Sequence, residues 1–97
     1  MNDNNNYNGW ANYETWVTAL WIDNDQNSYS HRCELTKLVK EEHHEQSDRI
    51  NCLATGLSDW IGEMNPLSDQ ASLFCDLLNA ALAEVDWHEI AENFLTE

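Results

Sequence analysis

Two clusters of side chains in this sequence are of the types that bind metals or move protons. The first is His43-His44, flanked by Glu41, Glu42 and Glu45. Imidazole and carboxylate both ligate a zinc-type ion. Neighbours on a helix project about 100° apart, so the two His do not easily face one ion. A solvated polar face, with His44 beside Glu41 or Asp48, is the expected outcome. The second is His88-Glu89-Ile90-Ala91-Glu92. It begins like the HExxH helix of zinc proteases, where two His one turn apart hold the metal. Here Glu92 stands in place of the second His and no third ligand is evident. Glu89 is therefore expected to cap a helix. Cys33, Cys52 and Cys75 are odd in number, far apart and without a CxxC pair, the pattern of reduced, mostly buried thiols in a cytoplasm. Gly9, Gly56 and Gly62 are isolated, so no phosphate-cradling loop is present, and no local signature marks a catalytic nucleophile. No catalytic residue, metal or cofactor is assigned.

The carboxylates carry the stronger signal. The chain has 18 Asp and Glu against 4 Lys and Arg, for a formal charge of −14. All four cations (Arg32, Lys37, Lys40, Arg49) fall in one window, and Ile50 to Glu97 contains no Lys or Arg at all. Such a surface repels itself, nucleic acid and anionic membranes, and it attracts basic clefts. Direct nucleic-acid binding needs cations that this half lacks. Carboxylates one helical turn apart lie roughly 5–6 Å from each other. That is near the phosphate spacing along one strand of a duplex carrying one charge per about 1.7 Å of axis. The residues expected to meet a cationic partner are Asp59, Glu63, Asp69, Asp76, Glu84, Glu89 and Glu92. The plainer alternative is that the acidity serves solubility or life in high salt.

These side chains need a scaffold. A chain of 97 residues that is 42% hydrophobic, with five Trp, three Tyr and two Phe, suits one folded domain. No apolar run is long enough to span a bilayer, and the polar start MNDNNNYN does not resemble a secretory signal. Residues 1–9 are expected to form a flexible Asn-rich arm, and residues 10–97 a single helical domain. Asn12 can cap a first helix bearing Tyr13, Trp16, Val17, Leu20 and Trp21 at helical spacing, ended by Asp23-Asn24-Asp25. A polar second helix is expected from about Ser28 to Glu45. A third, capped by Ser47, carries Ile50, Leu53, Ala54, Leu57, Trp60, Ile61 and Met64 and stops at Asn65-Pro66. Gly56 and Gly62 within it suggest close packing or a kink. A fourth helix from Ser68 is apolar on most sides and is expected to be central. Asp86 with Glu89 fits a capping box, and Val85 with Ile90 a hydrophobic staple, for a short last helix. The expected class is all-α, a compact bundle of four to five helices.

Gly9-Trp10-Ala11-Asn12-Tyr13-Glu14-Thr15-Trp16, continuing to Leu20-Trp21-Ile22-Asp23-Asn24, resembles a small family encoded by phages, plasmids and other mobile elements. Its pattern GW-x-N-x-ET-W, then LW-x-DN, is followed near the end by N-x-A-x-x-EV-x-W-x-EIA. Asn79, Ala81, Glu84-Val85, Trp87 and Glu89-Ile90-Ala91 match that second block. The family has no settled activity, so the resemblance implies a genomic setting. Small acidic proteins of mobile elements are often inhibitors of host defence, including anti-CRISPR and anti-restriction proteins that imitate DNA.

Three functions follow as expectations. The first is a non-enzymatic inhibitor in the host cytoplasm whose acidic surface blocks the nucleic-acid site of a basic host protein or nuclease complex. The second is an adaptor docking through Trp16 and Trp21 of the first helix, where unburied Trp also makes a homodimer plausible. The third is a small metal-dependent hydrolase, which needs a bound metal or a pocket joining His88 or His44 to carboxylates.

Overall fold

The computed structural model describes residues 7–67, 69 and 71–96. Five helices follow in order: α1 (Tyr13–Asn24), α2 (Gln26–Glu42), α3 (Gln46–Glu63), α4 (Leu73–Ala83) and α5 (Trp87–Leu95). No strand occurs among the described residues, and the class is all-α. Most of the expected arm lies outside the described residues. Its last part, Tyr7 to Gly9, forms a turn closed by the Trp10 amide on the Tyr7 carbonyl at 2.9 Å. Asn8 and Gly9 adopt positive φ there (53° and 90°), a conformation Gly takes without strain and Asn tolerates.

Local chemistry sets the helix ends. The Asn12 side chain accepts from the Thr15 amide and starts α1. Asp25, in extended backbone, ends α1 and also starts α2, accepting from the Ser28 amide at 2.9 Å. α2 therefore begins before Ser28, and it stops at Glu42 instead of Glu45. Ser47 does not cap α3. Glu45 occupies that position without a side-chain bond. Ser68, expected to open α4, lies outside the described residues, and Ser72 provides the cap by accepting from the Cys75 amide.

The core is built mainly between α3 and α5, with α1 on α2, α2 on α3, and α1 also touching α5. Leu53 and Leu57 of α3 and Ile90 of α5 are fully buried, joined by Ala54, Ala91, Phe94 and Leu95. The staple residue Val85 is buried beside them. Each such aliphatic side chain contributes about 1.5–3 kcal/mol.

The expectations for α4 and for the two helical glycines are overturned. α4 is not central. Leu73, Phe74 and Leu77 are 66%, 70% and 58% exposed, and Cys75 alone of its residues is buried. The α3 and α5 stripes are cleanly one-sided and close the core between them. α4 is strongly apolar, but the seam it would have to enter is already closed by α3 against α5. In α1 the buried face is Thr15, Ala19 and Ile22, the opposite side from Tyr13, Leu20 and Trp21, which are exposed. Small residues let α1 approach its neighbours closely, and the large rings face outward. Gly56 and Gly62 do not mark close packing either, since nothing lies within 4 Å of where a Cβ would stand on either.

Candidate acidic interface

Four polar bonds fix where the acidic elements stand. The Asn12 amide nitrogen donates to the Glu84 carbonyl at 2.7 Å. The Asp86 N–H donates to Thr15 Oγ1 at 2.8 Å, and the Ala11 N–H donates to Glu89 Oε1 at 3.0 Å. Asp86 Oδ1 in turn accepts from the Glu89 amide. The capping box is thus half formed. Asp86 caps α5 as expected, but Glu89 reaches the start of α1 instead of returning to the Asp86 amide. The two blocks of sequence that carry the family resemblance, far apart in the chain, meet in this clasp.

The outer face of α3 is different. Asp48, Cys52, Thr55 and Asp59 recur at helical spacing and line an open trough of about 700 Å³ with His43 and Asn51. A second trough of about 460 Å³ shares Thr55 and Asp59 and continues to Asp86, Trp87 and His88 at the start of α5. His88 Nε2 lies 2.9 Å from Asn51 Oδ1, tying the α5 start to α3. Glu63 stands one turn beyond Asp59 and is exposed. The face therefore gathers Asp48, Asp59, Glu63 and Asp86, with no Lys or Arg among the lining residues. It also joins His88 to Asp59 and Asp86.

Both Arg side chains are engaged within the fold, and both Lys stand on α2. Arg32, 4% exposed, places Nε 3.1 Å from Asp23 Oδ1 and lies 3.9 Å over the Phe94 ring centre. That is the one ion pair among the described residues. Arg49 donates to the His43 carbonyl at 2.6 Å and to the Lys40 carbonyl at 3.1 Å, closing the end of α2. Lys37 and Lys40 line a separate groove on α2 with Glu41, Tyr29 and Phe94.

Of the seven expected contact residues, Asp59 and Glu63 stand together on this face. Glu92 is exposed one turn after His88. Glu84 and Glu89 sit at the clasp. Asp69 lies in the α3–α4 connection and Asp76 in the first turn of α4, and neither lines the trough. Asp48 and Asp86 were missed. Asp86 was read as a cap only, and Asp48 lies before the cation-free half. Asp25 has its pKa held below the usual value of 3.8 by the backbone hydrogen bond from Ser28. Trp16 is half-buried and meets Tyr13 edge-on at 5.8 Å. Trp21 is 69% exposed and walls an apolar groove of about 340 Å³ with Val17, Ile61 and Met64.

Fold and site together define a small all-α acidic protein with a cation-free face on α3 and the head of α5. The sequence matches the model described as a family of unknown function (DUF7249) over residues 3–94, and the chain belongs to that family. No curated protein and no solved structure matches it. No helix among the described residues is long and apolar enough to cross a membrane.

Proposed function

We propose that this chain is a non-enzymatic antagonist of a basic, nucleic-acid-binding host protein, made by a mobile genetic element against a defence system such as CRISPR–Cas or restriction. The observation that carries the reading is the α3 face: Asp48, Asp59, Glu63 and Asp86, with no Lys or Arg lining the troughs that join them. Lys and Arg side chains that normally hold phosphates would take these carboxylates instead. Exposed Asp69, Asp76 and Glu92 extend the negative field and steer the encounter. The net charge of −14 opposes a homodimer and favours a cationic partner.

The test is affinity capture from the host at low and high salt, with duplex DNA as competitor. The expected partner is basic, elutes with salt, is displaced by DNA, and is not captured by a chain carrying Asp59→Lys and Glu63→Lys. The exposure of Trp21 beside an apolar groove favours a second reading, an adaptor docking through α1. That reading requires capture that resists salt and fails with Trp21→Ala in a folded protein.

A further inference from the structure

We propose that Glu42, His43 and Cys52 form a zinc site that staples the end of α2 to α3. Each offers one ligand atom, and the three atoms lie within 4.8 Å of one another. An ion at the centre of such a triangle is no more than about 2.8 Å from each atom, while bonds to zinc run about 2.0–2.3 Å. Closing the site therefore asks for side-chain movements well under about 1 Å. One thiolate, one imidazole and one carboxylate make a donor set that suits Zn²⁺.

The convergence depends on where α2 stops. If the helix ran on to Glu45, neighbours would diverge by about 100°. It ends at Glu42, and His43 leaves the helix in extended backbone (φ −131°, ψ 139°), so the helical divergence no longer applies and the two ligand atoms come within reach of one ion. Cys52 arrives from the second turn of α3. The two Arg49 bonds to the His43 and Lys40 carbonyls hold this hinge in place. His43 and Cys52 are half-buried, which limits competition from bulk water. Both also line the α3 trough beside Asp48, so the fourth coordination position opens to solvent in a negative field. On binding, the Cys52 thiol releases its proton to solvent and the sulfur lone pair bonds the metal.

The test adds Zn²⁺ to the reduced full-length protein and reads stoichiometry by native mass spectrometry and affinity by calorimetry. Cobalt replaces zinc to report a thiolate-to-metal absorption band. One equivalent is expected, with the cobalt band present. Cys52→Ser removes the band, and Cys52→Ser or His43→Ala weakens zinc by about a hundredfold or more. Cys33→Ser and His44→Ala, which alter exposed residues outside the triad, leave both unchanged. Zinc at a hundredfold excess over its Kd raises Tm by roughly 10 °C or more, and this rise is absent in Cys52→Ser, whose metal-free melt shows that it folds. A cobalt band that survives Cys52→Ser, or zinc affinity equal in Cys52→Ser and Cys33→Ser, overturns the site. None of these readouts involves a basic partner, so the site and the antagonist function stand or fall separately.

Discussion

The clasp between α1 and α5 and the outer face of α3 are both built from polar and acidic side chains, but they dispose of them in opposite ways. At the clasp Asn12, Thr15, Asp86 and Glu89 all have a backbone partner within the fold. On the α3 face Asp59 and Glu63 are exposed, and the trough around Asp59 holds no cation. Side chains of the first kind close the fold. Like charges left together on the second cost a little stability, and they leave a negative field open to the partner proposed above. The contrast also separates motif from site, because the residues carrying the family resemblance close the fold and the proposed contact surface lies beside them.

This contrast can be broken by substitution. Arg32→Ala has the largest expected effect, since it empties a buried position and removes the guanidinium from the Phe94 ring and from solvent-accessible Asp23. A loss of about 3 kcal/mol is expected, read as a Tm lower by roughly 10 °C or more. Thr15→Val keeps the shape of a fully buried side chain but deprives the Asp86 amide of its acceptor. Its expected cost is about 1–3 kcal/mol in denaturant unfolding. Asn12→Ala loses a helix cap and the bond to Glu84, about 1–2 kcal/mol by the same measurement. On the other face, Asp59→Asn with Glu63→Gln should change stability by no more than about 0.5 kcal/mol, with a gain the expected sign. A large loss there would mean that these carboxylates have structural work after all.

The smallest effect concerns Asp25. The Ser28 amide holds its pKa below 3.8. A carboxylate whose folded value is depressed contributes stability that is present above the unfolded pKa and is lost as pH falls through the folded one. Asp25→Asn should therefore flatten the pH dependence of Tm below about pH 4. An NMR titration placing Asp25 at or above 3.8 would contradict the bond.

Much of this frame was legible in the sequence. The caps at Asn12 and Asp86, the Val85–Ile90 staple and the α3 stripe depend on short-range chemistry, and they formed as the residue types required. Which helix takes the core is decided by competition among elements. The composition of α4 reported how apolar it is, and not that α3 and α5 would fit each other better. In α1 the helical spacing of Tyr13, Trp16, Val17, Leu20 and Trp21 does not mark the inward face, which Thr15, Ala19 and Ile22 form. The grouping of Asp59 with Asp86, and of Cys52 with His43, arises across elements and leaves no spacing signal in one segment.

The most direct test of the central claim is the association rate with the captured partner as ionic strength rises, for the wild type and for Asp59→Lys with Glu63→Lys. The acidic-face account predicts a fast, steeply salt-dependent rate for the wild type. It predicts at least about a tenfold slower and nearly flat rate for the variant. Equal rates and equal salt slopes for the two proteins would contradict it.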